Sequence, residues 1–219
     1  MKTKWRGIKT TSRAINEIQA KTIINRLGQK SISLPRITDD KRWAGYPGIA
    51  GVARKIAKLI PNCLTYVEPF AGTAKVFQEL AKRNDVSIGQ VVLNDKSRFI
   101  YNWLKREFGY DVYVTREDFV KCIKRLDSNK TFYLIDQAWF KSYYDQKFSC
   151  FDRESVKAYD EEVLDLCNHL KGKFIITTRK ENKRMLNSGF HNKLIKSEYV
   201  VSGKYPRVLI TTNLELRKK

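Results

Sequence analysis

An acid and an aromatic residue, separated by two positions, directly follow an apolar segment in the middle of the chain. The segment Phe132–Ile135 has the length and composition of a buried strand, and Asp136 and Trp139 follow it in "DQAW". A carboxylate at a strand end can accept hydrogen bonds from a reacting group, and an indole beside it can stack on a flat ring. We therefore treat this loop as a candidate reaction centre, with an ordinary strand end and a solvated Asp136 as the alternative.

A second group of polar residues surrounds a glycine-containing turn. In "YVEPFAGTAKVF" a predicted strand ends at Glu68, a turn with Gly72 follows, and a helix begins. Glycine allows a ligand to approach the backbone, and the first N–H groups of a helix suit a carboxylate or a phosphate. In "VVLND", Asp95 ends the next strand, where a carboxylate can accept hydrogen bonds from a ribose diol. This pattern predicts a nucleoside cofactor; the alternative is an ordinary strand–helix turn with solvated acids.

Strands and helices alternate over most of the chain. Apolar strands are predicted at "LTYVEPF", "QVVLND", "DVYV", "TFYLID" and "KFIITT", with helices at 73–83, 96–108, 116–126 and 159–170. A loop at 137–158 is predicted between the strand "TFYLID" and the helix 159–170. Two late β runs, "KLIKSEYVV" and "RVLITTN", read as a hairpin. The sequence thus predicts an α/β fold with a mostly parallel sheet and a terminal antiparallel hairpin. We divide it into a basic N-terminal helical extension, 1–40, and one domain, 41–219.

The charge composition points to a polyanionic partner. The 219 residues include 43 Lys and Arg against 23 Asp and Glu, a formal net charge of +20. A field of this sign attracts nucleic acid, although it does not distinguish DNA from RNA and also fits a generic basic protein. No segment has the length of an apolar membrane helix or the pattern of a signal peptide. Four widely spaced cysteines and two histidines match no zinc pattern, so we expect a cytoplasmic protein with reduced thiols and no metal.

Two of these segments carry a family resemblance. "TYVEPFAGTAKVF" and "LNDKSRFIYNWL" resemble the S-adenosylmethionine-binding region of Dam-type (D12 class) DNA adenine-N6 methyltransferases, in which E/D-P-F-A-G is followed by N-D. The resemblance extends in order from about residue 40 to residue 213. It implies a Rossmann-like class I methyltransferase fold, S-adenosylmethionine as cofactor, DNA as partner, and site-specific adenine methylation.

The resemblance also implies cofactor contacts. The two motifs contribute Glu68, Pro69, Phe70, Gly72, Thr73, Asn94 and Asp95. Upstream, Trp43, Ala44 and Gly45 resemble a family loop that helps hold the methionine end, with Tyr46-Pro47 where the family usually has Gly-Lys. Downstream, Asp118 would accept from the adenine amine and Phe119 would pack on the ring. A helix-capping role for Asp118 is an equal alternative.

In this alignment "DQAW" stands where the family carries Asp-Pro-Pro-Tyr or a form with Phe or Trp. The resemblance implies that Asp136 and the carbonyl of Gln137 accept the two N–H groups of the adenine amine, and that Trp139 stacks on the extruded base. Asp136 would also border the cofactor. Both prolines, which would fix the backbone φ angles, are missing. Three interpretations stay open: slower methylation of DNA, a non-catalytic member that binds cofactor or nucleic acid, and methylation of RNA, because an Asp-x-x-Trp form occurs among RNA-directed relatives.

Basic and aromatic residues near this loop are candidates for nucleic-acid contact. Tyr143 and Tyr144 could stack on bases, and Lys141, Lys147, Arg179 and Lys204 could contact phosphates. The alternative is a lid that packs on its own aromatic residues. The chain also has little room for the inserted target-recognition region of Dam-type enzymes. Target recognition would then come from the N-terminal helix, this loop, the late hairpin or a partner subunit.

Overall fold

The structure is a computed structural model, and it describes residues 47–136, 153–180, 182–196 and 207–216. The predicted extension at 1–40 and the candidate contacts Trp43, Ala44 and Gly45 lie outside these ranges. The same holds for Gln137, Trp139 and the loop that follows them, and for Lys204. The predictions made for these residues, including the division into an extension and a domain, therefore stay predictions.

Seven strands form one sheet in the order β3-β2-β1-β4-β5-β7-β6. The first five strands run parallel to one another, and β7 pairs antiparallel with both β5 and β6. The strands are β1 Cys63–Glu68, β2 Ile88–Asn94, β3 Tyr113–Thr115, β4 Thr131–Ile135, β5 Lys173–Arg179, β6 His191–Lys196 and β7 Arg207–Thr212. This arrangement confirms the predicted Rossmann-like α/β fold with a mostly parallel sheet.

The two late strands pair antiparallel with each other as predicted, but they do not both run antiparallel to the rest of the sheet. β7 lies between β5 and β6, so that β6 is the edge strand and runs in the same direction as β1 to β5. Burial explains this order. Val208, Leu209 and Ile210 of β7 are consecutive buried residues, as an interior strand requires, whereas Lys193 and Leu194 of β6 are exposed.

In the described ranges, six helices connect or flank these strands: α1 Pro47–Ala57, α2 Lys75–Leu80, α3 Arg98–Phe108, α4 Phe119–Leu126, α5 Arg153–His169 and α6 Lys183–Leu186. Polar side chains begin three of them, because Ser97, Asp118 and Asn182 each accept a hydrogen bond from a backbone N–H of the first turn. Two sequence predictions were incomplete. Helix α5 begins at Arg153, inside the predicted loop 137–158, and the single-turn helix α6 is too short for a periodic pattern to reveal it.

Alternate residues of the five inner strands, β1, β2, β4, β5 and β7, enter two apolar layers, one on each face of the sheet. In β4, Phe132 and Leu134 pack with α1, α2 and α3, whereas Tyr133 and Ile135 pack with α4, α5 and α6. Strands buried on both faces explain why these segments are continuously apolar in the sequence.

Short connections link the elements between β2 and β4. Helix α3, strand β3 and helix α4 follow one another within 98–126, and this stretch holds no inserted recognition region. Within the described part of the chain, none of the helices combines the length and apolarity that crossing a membrane would need.

Candidate functional site

Glu68, Asp95 and Asp136 all follow or end neighbouring strands at one edge of the sheet. Glu68 is the last residue of β1, Asp95 follows β2, and Asp136 follows β4. Because β1 lies between β2 and β4 and all three run parallel, their carboxyl ends form one edge. Ligands of open α/β sheets bind at this edge. The fold therefore brings together the three acids that were predicted from the sequence as candidate site residues.

The loop between β1 and α2 presents its backbone at this edge. Gly72 has a φ of 50°, and a Cβ placed on it would meet no atom within 4 Å. Ala74, which immediately precedes α2, also has a φ of 50° although it is buried. For an alanine this conformation costs on the order of 1 kcal/mol, which the surrounding packing must offset. The loop is therefore held in an unusual shape that leaves open space beside Gly72.

Asp95 ties this loop to the end of β2. Its Oδ2 accepts from the N–H of Gly72 over 3.0 Å, and its Oδ1 accepts from the N–H of Ser97 over 2.8 Å. Burial raises the pKa of this carboxyl, and the two N–H donors act against that rise. Each oxygen keeps a further lone pair, so Asp95 can hold the loop and accept hydrogen bonds from a diol at the same time.

Asn94 connects the ends of three strands. Its Nδ2 donates to the carbonyls of Pro69 and Glu117 over 2.9 and 3.0 Å, and its Oδ1 accepts from Thr115 Oγ1 and from the N–H of Glu117. These four bonds use the full capacity of the amide. The structure thus gives Asn94 a bracing role for the loop, and its predicted contact with the cofactor stays a prediction.

Glu68 is a buried carboxyl. Its side chain is 3% exposed, and Oε1 accepts from the Tyr66 hydroxyl over 2.7 Å and from the N–H of Phe77 over 3.0 Å. Burial raises the pKa of Glu68 from 4.5 to about 8; the bonds from Tyr66 and Phe77 oppose the rise, and the charge of Asp136 adds to it. The two carboxyls are therefore within electrostatic reach of each other and disfavour a common ionised state.

Asp136 receives a hydrogen bond from the strand on its other side. The Thr177 hydroxyl of β5 donates to Asp136 Oδ1. Burial raises the pKa of Asp136 from 3.8 to about 6, and the bond from Thr177 opposes this rise. Asp136 is half-buried, and its carboxyl can ionise close to neutral pH, as a group that accepts a hydrogen bond from a substrate requires.

Asp118 and Phe119 lie at the start of α4. Asp118 Oδ1 accepts from the N–H of Val120 over 3.0 Å, which makes it the N-cap of the helix. The Phe119 ring is 5% exposed and contacts Phe70 with 4.8 Å between ring centroids. The capping alternative for Asp118 is therefore present in the structure, and adenine contacts by either residue stay predictions.

The structure thus collects the predicted Glu68, Gly72, Asp95 and Asp136 at one place, together with the loop residues Pro69, Phe70 and Thr73. Arg179 is the last residue of β5, and the structure describes its backbone but not its side chain. Two hydrogen bonds at the site were not predicted from the sequence: the one from Tyr66 to Glu68 and the one from Thr177 to Asp136. The first had a signal, because residues two apart in a strand share a face; the second depends on the pairing of β4 with β5.

The comparison with family profiles gives one match. The profile of the D12 class N6 adenine-specific DNA methyltransferases matches residues 51–200, more than half of the chain. These residues include all four convergent site residues. None of the curated proteins matches the sequence.

Many solved structures resemble this fold at low sequence identity. PH0851 is 15% identical over 82% of this chain and 50% of its own, with a TM-score of 0.52, so this chain spans half the length of that protein. The N-terminal domain of human METTL16 in complex with SAH is 12% identical over 92% and 82%, with a TM-score of 0.49. TrmN from Thermus thermophilus is 18% identical over 77% and 49%, with a TM-score of 0.48. Only the likeness to PH0851 supports the fold, and it supports nothing further.

Proposed function

This chain belongs to the D12 class N6 adenine-specific DNA methyltransferase family, and from that premise we propose that it methylates N6 of adenine in DNA with S-adenosylmethionine. One observation carries the proposal: Glu68, Gly72, Asp95 and Asp136 meet at the carboxyl edge of the sheet, inside the segment that the family profile matches. Residues from three separate segments, chosen for their chemistry, thus lie together at the edge where open α/β sheets bind ligands.

The residues fit a sulfonium nucleoside. The open space beside Gly72 would admit the ligand against the backbone, and the remaining lone pairs of Asp95 would accept from the ribose hydroxyls. Glu68, a buried carboxyl near Asp136, would balance the positive charge. When bound, S-adenosylmethionine supplies the methyl group; the protein holds and orients it.

Asp136 would act on the base. The exocyclic amine of adenine is a poor nucleophile because its lone pair is delocalised into the ring. A carboxylate that accepts one N–H would favour a more tetrahedral nitrogen, whose lone pair could form the new N–C bond as the methyl–sulfur bond breaks to leave a neutral thioether, and Asp136 could take the proton that the amine loses. The carbonyl of Gln137 would accept the second N–H and Trp139 would stack on the base, roles that we propose from the family pattern alone.

The change from two prolines to Gln137-Ala138 bears on the rate. Without proline nothing in the loop fixes the direction of the carbonyl that follows Asp136, and a misplacement of about 1 Å can reduce a rate about 100-fold. We therefore expect slow methylation, and a gain in rate when Gln137→Pro and Ala138→Pro are combined.

Radiolabelled methyl transfer tests the reaction. The protein is incubated with methyl-labelled S-adenosylmethionine and either plasmid DNA or an RNA transcript of the same sequence, followed by digestion and identification of the modified base. We expect N6-methyladenine in DNA and none with Asp136→Ala. Modified base found mainly in RNA would change the substrate, and no transfer by either the wild type or the double-proline variant would leave a non-catalytic binding protein.

Calorimetric titration tests the cofactor site independently of turnover. Asp95→Asn replaces one acceptor oxygen by a donor and should weaken S-adenosylmethionine binding about 10-fold or more. The matched control is Asp127→Asn, because Asp127 also accepts from two backbone N–H groups, those of Lys171 and Gly172, but at the opposite edge of the sheet. Equal affinity of the two variants would remove Asp95 from the cofactor site.

A further inference from the structure

Thr177 and Asp136 are joined across two neighbouring strands. Ile135 of β4 pairs with Ile176 of β5, so the residues that follow, Asp136 and Thr177, lie opposite each other. By the alternation along each strand, both side chains point to the face that carries α1, α2 and α3, since Leu134 and Ile175 pack there. The Thr177 hydroxyl donates to Asp136 Oδ1.

The donor belongs to the interior of the sheet and not to a loop. Thr177 is 2% exposed, and its backbone pairs with Ile210 of β7. β5 is flanked by β4 on one side and β7 on the other, and its residues Phe174, Ile175 and Ile176 are fully buried. The position of the hydroxyl is consequently fixed by two strand pairings.

From this geometry we infer that Thr177 is a positioning residue for the methyl-transfer reaction, which orients Asp136 by holding one of its carboxyl oxygens. This inference rests on the proposed function. With Oδ1 occupied by Thr177, Oδ2 is the oxygen that faces the substrate amine. Without this hydrogen bond, the Asp136 carboxylate could rotate about its χ2 angle and present either oxygen in many directions. The hydrogen bond from Thr177 in β5 prevents that rotation.

The sequence after Asp136 makes this orientation more important in this chain. In the family pattern, two prolines stiffen the backbone that carries the acid and the carbonyl. Here Gln137-Ala138 supplies no such restraint. Thr177 acts from a different strand, so it can hold the carboxyl in place whatever the loop does.

A purely structural role would leave a different signature. If Thr177 only satisfies a buried carboxyl, its removal lowers stability and leaves the catalytic step as it was. If it orients Asp136, its removal lowers kcat while KM for cofactor and nucleic acid hardly changes, since the lost interaction matters in the transition state.

Three variants separate these roles. Thr177→Val removes the hydroxyl at nearly constant shape, Thr177→Ser keeps it, and Thr131→Val removes a buried hydroxyl from the far end of β4, where it donates to the carbonyl of Leu126 over 2.7 Å. Single-turnover and steady-state methylation of DNA and a carbon-13 NMR titration of the Asp136 carboxyl are measured for each. The titration needs no turnover, so it decides the contact even if the protein methylates nothing.

We expect Thr177→Val to lower the single-turnover rate about 10- to 100-fold with KM changed less than about twofold, and to raise the pKa of Asp136, because a hydrogen bond that favours its ionised form is lost. Thr177→Ser should restore both, and Thr131→Val should alter neither. An unchanged pKa of Asp136 in Thr177→Val, or a rate equal to that of Thr131→Val, would overturn the inference. Absence of methyl transfer by the wild type would overturn the proposed function instead.

Discussion

The hydroxyl of Tyr66 donates a hydrogen bond to Oε1 of Glu68 over 2.7 Å, in a part of the core where Tyr66 is fully buried and Glu68 nearly so. The N–H of Phe77 donates to the same oxygen. Two donors thus converge on a carboxyl whose pKa burial raises, and both donors limit that rise to about 8. They make ionisation of Glu68 accessible near neutral pH, where a positively charged ligand could use it.

Tyr66→Phe should therefore disturb Glu68 in a measurable way. We expect the pKa of Glu68 to rise further, because the lost bond favours the ionised form, and the free energy of unfolding to fall by about 1 kcal/mol. Carbon-13 NMR titration and urea unfolding measure the two effects. Tyr133→Phe is the matched control, since Tyr133 is equally buried and donates to the carbonyl of Ile123 in the opposite layer. An identical Glu68 titration in both variants would contradict the role of Tyr66.

The buried Glu68 also predicts how stability depends on pH. Its pKa is about 8 in the folded chain against 4.5 ordinarily, so between these values the folded state binds a proton that the unfolded state has released. The free energy of unfolding must then decrease as the pH rises from about 5 to about 8, by about 1.4 kcal/mol for each unit of pKa difference. Glu68→Gln should flatten this decline, and denaturant unfolding at a series of pH values measures it.

Asp136 provides the internal comparison for this experiment. Its pKa rises from 3.8 to about 6, so its contribution to the decline is confined to a lower range, between about pH 4 and 6. In Glu68→Gln the decline between pH 6 and 8 should disappear while the lower part remains. If stability is level from pH 5 to 8 in the wild type, Glu68 is ionised in the folded chain at ordinary pH.

The sequence was sufficient for most of the sheet. Alternating apolar strands and helices predict a parallel sheet, because each helix brings the chain back to the end of the sheet at which the preceding strand began. The position of β7 between β5 and β6 was not apparent, because both strands of a hairpin carry β-forming residues and only burial distinguishes the inner from the edge strand. Helix α5 was placed too late, since Arg153–Ala158 is polar and lacks the spacing that marks a buried helical face.

The site was predictable in part for the same reason. Acids at the ends of β1, β2 and β4 must meet once these strands are parallel neighbours, so Glu68, Asp95 and Asp136 could be grouped from the sequence. The contact between Thr177 and Asp136 could not, because it depends on the register between β4 and β5. The four hydrogen bonds of the Asn94 amide were equally hidden, since its partners come from two different segments, Pro69 after β1 and Thr115 and Glu117 at the end of β3.

Gly72→Ala tests whether the cofactor occupies the open space beside residue 72. The added methyl group meets no protein atom, so the cost to folding is mainly the positive φ, about 1 kcal/mol. Gly189→Ala is a close control, because Gly189 has a φ of 80° and equally open surroundings at a distance in sequence from the site residues. We expect thermal unfolding to show similar losses in both variants, and calorimetry to show weaker S-adenosylmethionine binding only in Gly72→Ala. Unchanged binding in Gly72→Ala would place the ligand elsewhere.

The charge of the cofactor gives a final expectation. S-adenosylmethionine carries a sulfonium and its demethylated product does not, so only the former gains when Glu68 and Asp136 ionise. As the pH rises from 6 to 8, the affinity for S-adenosylmethionine should increase severalfold relative to that for the product, since the pKa of Asp136 is about 6 and that of Glu68 about 8. Calorimetric titration of both ligands across this range measures the ratio, and taking the ratio cancels the ionisation of their common amino-acid end. Glu68→Gln should remove most of the change. A ratio that stays constant with pH in the wild type would show that neither carboxyl ionises in response to the sulfonium, and the electrostatic account of this site would then be wrong.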